Sequence, residues 1–233
     1  MRITGTIWAA AFFLASCTPG AQKENAGGDN GTAGEHAGHS ASAEQAGEWV
    51  QLFNGESLDG WKVGESPETF SVENGTIKVA GPRAHLFYEG PVNNHEFKNF
   101  EFKAQVMTTE GSNSGIYFHT AYQESGWPEK GYEVQVNNSH TDWRRTGSLY
   151  GIDDVKDVLV KDNEWYTEHI IVRDKHIIVK INGETVVDYT EPDSVAQTTA
   201  VGGRRISSGT FALQGHDPES VVFYKDVQVK ALP

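Results

Sequence analysis

Phe100-Glu101-Phe102-Lys103-Ala104-Gln105-Val106 sets four apolar side chains in strict alternation with three polar ones. Successive side chains of a strand point to opposite faces, so this pattern buries one face and leaves the other wet. The same period recurs on both sides of it. Phe70-Ser71-Val72-Glu73 and Thr76-Ile77-Lys78-Val79 flank Asn74-Gly75, and Ile177-Ile178-Val179-Lys180-Ile181 and Thr185-Val186-Val187-Asp188-Tyr189 flank Asn182-Gly183. Asn-Gly between two such runs is a hairpin signal, because both turn positions need positive φ. Further strands are predicted over 115–120, 131–136, 165–173, 210–213 and 221–230. No segment carries a helical repeat over three turns. Many short antiparallel strands predict an all-β sandwich or barrel. The sandwich is preferred because 165–173 and 176–181 are nearly continuous in apolar residues, as strands deep in a stacked pair would be.

The ends and the composition bound the rest. Arg2 and the apolar run 3–15 lead into Leu14-Ala15-Ser16-Cys17. The run is too short to span a bilayer, which takes about 20 apolar residues, and reads as a signal h-region. Leu-Ala-Ser-Cys matches a lipobox, which predicts a signal peptide over 1–16, cleavage before Cys17 and lipidation of that thiol. Two or more acyl chains hold a protein at a membrane where one does so only marginally. The expected location is the bacterial cell envelope. Thr18, where aspartate would mark inner-membrane retention in the enteric pattern, points toward the outer membrane. Cys17 is the only cysteine, so no intrachain disulfide exists. From 17 to 48 the chain is poor in large apolar side chains and predicts a disordered tether; His36 and His39 within it read as solvated. Residues 49–233 then form one domain. A net charge of -13 argues against nucleic acid as a partner.

Gly131-Tyr132-Glu133-Val134-Gln135-Val136 predicts a strand with a carboxylate and a carboxamide about 6.6 Å apart on one surface. Such a pair suits the floor of a sugar site. A retaining glycosidase needs two carboxyls about 5–5.5 Å apart, and the amide of Gln135 fills neither role.

Asn113-Ser114-Gly115-Ile116-Tyr117-Phe118, followed by Gly131-Tyr132-Glu133-Val134-Gln135, resembles the 3-keto-disaccharide hydrolase domain family. The likeness runs in order through Leu52-Phe53-Asn54-Gly55, Leu58-Asp59-Gly60-Trp61, Gly147-Ser148-Leu149-Tyr150-Gly151 and Trp165-Tyr166. It ends at Asn182-Gly183, Leu213-Gln214-Gly215-His216 and Val222-Phe223-Tyr224-Lys225-Asp226-Val227. The resemblance implies a concanavalin A-like jelly-roll sandwich of two antiparallel sheets, related to legume lectins and laminarinase-type glucanases, with its site on a concave sheet. It also implies action on glycosides oxidised at C3, with a sugar 3-oxidoreductase acting upstream. His119 and Lys225 stand where the family pattern has arginine.

A ketone at C3 acidifies the hydrogen at C2 and lets the glycosidic oxygen leave by elimination, after which water adds. That chemistry needs one base, one group that stabilises an enolate oxygen and one proton donor. Parity along the two strands places Tyr117 and His119 on the side of Glu133 and Gln135. Glu133 or His119 is then the candidate base, with Lys225 or a divalent metal cation polarising the ketone; His119 and Glu133 are the candidate metal ligands. Gln135, Asn113, Tyr117 and Tyr150 are candidates for holding the sugar. Trp127 and Trp143 offer stacking faces, and Arg144 and Arg145 could grip hydroxyls or an acidic group. His216 lies in a turn and is a candidate for substrate binding or for orienting that loop. His169 reads as a hydrogen-bonded, half-buried residue, and His85, His95 and His140 as loop residues. The rival function is a non-catalytic glycan-binding lipoprotein built on the same sheet.

Overall fold

The computed structural model describes residues 47–194 and 203–233. The predicted signal peptide, Cys17, His36, His39 and the tether up to residue 46 lie outside the described residues. The domain is a sandwich of two antiparallel sheets. The larger has the order β11 (Glu184–Thr190), β10 (His176–Ile181), β9 (Tyr166–Arg173), β6 (Phe100–Thr108), β13 (Val221–Ala231), β4 (Thr76–Ala80) and β3 (Phe70–Glu73), and β1 (Val50–Gln51) also pairs with β13. The smaller has the order β2 (Trp61–Val63), β5 (Ala84–Tyr88), β12 (Thr210–Gly215), β7 (Asn113–Thr120) and β8 (Tyr132–Asn137).

The alternating stretch 100–106 becomes β6, whose alternate residues are buried along its whole length. Both Asn-Gly pairs are hairpin turns with positive φ at each position: 51° and 77° at Asn74-Gly75, 50° and 89° at Asn182-Gly183. The sheets close on an aromatic centre. The ring of Phe211 on β12 lies 4.8, 4.9 and 4.7 Å from those of Phe97, Phe100 and Phe102. Such tilted and edge contacts add to the burial of the rings themselves.

The doubly buried strands are in the other sheet from the one that apolar continuity predicts. β9 and β10 alternate between buried and partly exposed residues, as β6 does, because the larger sheet turns one face to solvent. The strands buried on both faces are β5, β7, β8 and β12. The smaller sheet is therefore covered on its outer side as well. β5 is not foreseen from sequence, since Ala84-His85-Leu86-Phe87-Tyr88 has no period-two pattern; His85 is a buried strand residue and not a loop residue. The free edge of β8 is capped by the returning segment 146–150, through Gly147 N–H to Gln135 O, Gln135 N–H to Ser148 O and Tyr150 N–H to Glu133 O. An edge treated this way cannot recruit another strand.

One acid lies inside the sandwich. Glu168 on β9 is fully buried and neither carboxyl oxygen has a hydrogen-bond partner. Burial pushes its pKa well above the usual carboxylate range, so it is protonated in the folded protein. A raised folded pKa stabilises below the unfolded value, and that contribution is lost as pH rises past about 4.5. Glu168→Met is expected to gain at least about 1–3 kcal/mol at pH 7, and to gain less below pH ~4.5, where the unfolded chain's Glu168 is protonated too. Thermal melts across this pH range, at ~2–4 °C per kcal/mol, read the difference.

Candidate active site

The covered outer face of the smaller sheet collects the polar side chains. Register pairs Tyr117 with Glu133, Gly115 with Gln135 and Asn113 with Asn137, while β12 sets Ala212 beside Tyr117 and β5 sets His85 beside Gln214. Tyr117, Glu133, Gln135, Asn113, Gln214 and His85 thus share one face, and all are buried. The Glu133 side chain lies across Gly115. A Cβ there would meet Oε1 at 2.6 Å, so glycine is what admits the carboxylate to this place.

Glu133 is 4 % exposed, and each oxygen is engaged. Oε1 accepts from Gln214 Nε2 at 2.9 Å; Oε2 accepts from the Tyr117 hydroxyl at 2.9 Å and from Arg204 Nη2 at 3.2 Å. Gln214 Nε2 also donates to the Tyr117 hydroxyl, at 3.1 Å. Burial, reinforced by the charge of Glu133, raises the Tyr117 pKa well above its ordinary value, so the phenol keeps its proton and donates. The Arg204 guanidinium lies 6.0 Å from the Tyr117 ring centre and 5.6 Å from that of Tyr150.

A second group adjoins the first. Gln135 Nε2 donates to Asn113 Oδ1 at 2.8 Å, and Asn113 Nδ2 donates to His140 Nδ1 at 3.3 Å. His216, just past the end of β12, donates through Nδ1 to Asp217 Oδ2 at 2.6 Å. Asp217 is held in turn by the Glu219 and Ser220 N–H groups, both 3.0 Å from Oδ1, and by Ser220 Oγ at 2.9 Å from Oδ2. Burial works to raise the Asp217 pKa, but bonds from His216, Ser220 and Glu219 outweigh it and hold the carboxyl below its ordinary value. The His140 and His216 rings are 5.4 Å apart. Trp127 connects the two groups, with its ring 5.5 Å from His216 and 5.6 Å from His85, and His85 stands edge-on to Tyr117 at 5.4 Å. Burial lowers the His85 pKa to about 3 and keeps the ring neutral.

The nitrogens of His140 and His216 and a carboxylate oxygen of Asp217 come within 4.8 Å of one another, a donor set of the kind divalent ions use. The tautomer of His140 opposes that use. Its Nδ1 accepts from the Asp142 N–H at 3.1 Å as well as from Asn113, which puts the proton of the neutral ring on Nε2, the nitrogen facing Asp217. Of the three, His216 and Asp217 are hydrogen-bonded, and His140 Nε2 stands 3.8 Å from Asp217 Oδ2.

Several predicted site residues stand elsewhere. His119 does not join Glu133. Between the pairs Thr210–Thr120 and Ala212–Tyr117, β7 carries one residue more than β12, a bulge at which His119 takes φ 55°. One extra residue inverts the facing of the residues beyond it. The His119 ring packs edge-on to Phe100 and Phe118, donates from Nε2 to Lys98 O at 2.8 Å and accepts the Ser207 N–H at Nδ1. Burial lowers its pKa to about 4. The predicted His119–Glu133 metal pair is thus not assembled. Lys225 lies on β13 of the other sheet, with Nζ 4.1 Å from the Trp165 ring centre. Its neighbour Tyr224 points inward to Ser114, so Lys225 points away from the smaller sheet. Arg145 is spent on Asn137 Oδ1 and the carbonyls of His140 and Asp142; Arg144 pairs with Asp154 and lies over Tyr150 and Trp143. Both brace their loop. Tyr150 does reach the site, against Arg204. His169 is half-buried and bonded to Glu101 Oε2 at 3.0 Å, as its place in the sequence predicts.

Sequence reasoning missed Gln214, Arg204, Asp217 and the assembly of His85 and His140. Gln214 had a signal, two residues before His216 on one strand face. Arg204 had none, because 203–209 has no periodicity. Arg204 and Glu133 form a largely buried ion pair, with side chains 13 % and 5 % exposed. Removing one partner strands the other, so Arg204→Met is expected to cost about 3 kcal/mol, part of it recovered on adding Glu133→Gln. Urea unfolding of both variants checks this.

The sequence pattern of the 3-keto-alpha-glucoside-1,2-lyase-like domain matches residues 48–230. A 3-keto-disaccharide hydrolase of Bacteroides thetaiotaomicron is 27 % identical over 169 residues, a match covering 60 % of this chain and 58 % of that relative. In fold, the chain is similar to a glycosyl hydrolase candidate from Parabacteroides distasonis, with a TM-score of 0.68 at 24 % identity over 79 % of this chain and 94 % of the other. It is also similar to a Bacillus subtilis protein of galectin-like fold, with a TM-score of 0.55 at 12 % identity over 81 % and 97 %. With a pattern that spans nearly the whole sandwich, the chain belongs to the 3-keto-alpha-glucoside-1,2-lyase-like domain family.

Proposed function

We propose that this protein cleaves glycosides oxidised at C3, by elimination and then hydration. The observation that carries the reading is a set of buried polar atoms without partners on one face: His85 Nε2, Gln135 Oε1, Gln214 Oε1 and Arg204 Nη1. Buried polar groups normally find partners, and two acceptors, a neutral imidazole nitrogen and a charged donor suit the hydroxyls and carbonyl of a sugar. The name of the Bacteroides relative supports the substrate class.

A base removes the C2 hydrogen as a proton, and its electron pair forms an enolate with the C3 oxygen. The enolate collapses to expel the C1 oxygen, which takes up a proton. Water then adds at C1 and a proton returns to C2, so the sum is hydrolysis. Arg204 Nη1, which has no partner among the described residues, supplies a donor where the C3 oxygen gains charge, beside Tyr117. Glu133 anchors both of them. Three protein donors already occupy its carboxylate, two on Oε2 and one on Oε1, which weakens it as a base. Chemistry of this kind consumes the product of a sugar C3 oxidation, so an oxidoreductase acts before it.

On a chromogenic 3-keto-glucoside, residues 47–233 are expected to release the aglycone, and Arg204→Lys to lose about 10²-fold or more in kcat/KM. The three protein donors on Glu133 favour one rival, a glycan-binding module. Sugar binding by the wild type without release would establish that rival instead.

Export and lipid anchoring at Cys17 complete the proposal, supported by Arg2, the apolar run 3–15 and Leu14-Ala15-Ser16-Cys17. An outer-membrane location is supported by Thr18. The full chain should partition into Triton X-114 and Cys17→Ala should not; an aqueous wild type would reject the anchor.

A further inference from the structure

The elimination leaves one role unfilled, the base that takes the C2 proton, and assigning it rests on the 3-keto-glycoside reading. We infer that His216, oriented by Asp217, is that general base, acting through Nε2.

Four observations lead to it. First, Asp217 fixes the tautomer. A carboxylate oxygen 2.6 Å from Nδ1 takes the proton there, so the lone pair of the neutral ring sits on Nε2. Second, Asp217 cannot turn away. Two backbone N–H groups and Ser220 Oγ hold its other lone pairs, and Ser220 Oγ in turn accepts the Asn113 N–H at 2.9 Å, tying the dyad to the start of β7. A carboxylate that orients an imidazole and stabilises its protonated form is the arrangement by which histidine bases work. Third, His216 Nε2 has no hydrogen-bond partner among the described residues, and the side chain is 31 % exposed, so substrate can reach it.

Fourth, the place is right. Ala212 pairs with Tyr117 and Leu213 with Ile116. Continuing that register sets Gln214 beside Gly115, over which the Glu133 carboxylate lies, and His216 beside Asn113. The two levels are about 6.6 Å apart along the strand. A pyranose ring spans that interval, with its C3 oxygen toward Arg204 and Tyr117 and its C2 hydrogen toward His216. Trp127, 5.5 Å from His216, closes the same side. No other described histidine is as well placed: His85 is buried, His119 is turned into the core, and His140 Nδ1 is taken by Asp142 and Asn113. In the reaction Nε2 accepts the C2 proton, the imidazolium is held by Asp217, and the same proton can pass to the departing C1 oxygen or return to C2 after hydration.

The test is exchange of the C2 hydrogen of a 3-keto-glucoside in D2O, followed by NMR at saturating substrate beside aglycone release. The wild type should do both. His216→Ala should lose about 10²-fold or more in exchange and release, recover part of both in added imidazole, and bind the non-oxidised glucoside as the wild type does. His216→Gln serves as the second variant should the alanine form unfold, and Asp217→Asn should lower exchange by a smaller factor. If the wild type neither exchanges nor releases, the functional reading fails. If the wild type reacts and His216→Ala exchanges within about threefold of it, or loses activity only in step with glucoside affinity, His216 is not the base. EDTA should leave exchange intact; a loss restored by a divalent ion would make the cluster a metal site and overturn the assignment.

Discussion

A carboxylate buried on a sheet face has to be compensated where it stands, because water is no longer available to do so and an uncompensated charge costs several kcal/mol. Glu133 imposes that condition on this domain. Its three donors come from three parts of the chain: Tyr117 on β7, Gln214 on β12 and Arg204 from the segment before β12. Meeting the condition fastens three separate parts of the chain around one point. It also requires the missing side chain of Gly115, since any Cβ at that level would occupy the space of the carboxylate. The rest of the site is arranged around this fixed charge, with the unpaired atoms of His85, Gln135, Gln214 and Arg204 gathered on the same face.

The sandwich makes such a face available by burying one sheet twice. β5, β7, β8 and β12 are covered on the inside by the larger sheet and on the outside by loops, and Trp127 contributes to that cover. Tight inner packing gives the outer side chains a rigid backbone to stand on, which a site that must hold polar groups to a few tenths of an ångström requires. The bulge in β7 marks where regular pairing ends. It turns His119 into the core beside Phe100 and Phe118, and both ring nitrogens are taken by backbone groups.

Much of this was legible in local sequence. The alternation at 100–106 and the two Asn-Gly turns follow from the chemistry of neighbouring residues, and the structure reproduces them. The Tyr117–Glu133 side of the site was also readable, because period two holds along β8 and along β7 as far as Tyr117. The assignment of His119 failed at the bulge, since nothing in Tyr117-Phe118-His119-Thr120 announces an extra residue. β5 was invisible for a related reason: a strand buried on both faces has no polar side to alternate with. Arg204 and Asp217 were invisible because they come from irregular segments, where no period fixes which way a side chain points.

The sequence by itself determined the all-β class, the hairpins, the strand that carries Glu133 and the family to which the chain belongs. These depend on the order of residues along the chain and on turn chemistry a few residues long. Tertiary structure alone decided the partner of Glu133. Arg204 is 71 residues away and meets it only because the segment leading into β12 crosses the outer face of the sheet. It likewise decided that His216 and Asp217 lie beside Asn113, and that Lys225 and His119 do not share their face. Contacts between distant segments depend on sheet order and register, and those are set by the packing of the whole sandwich.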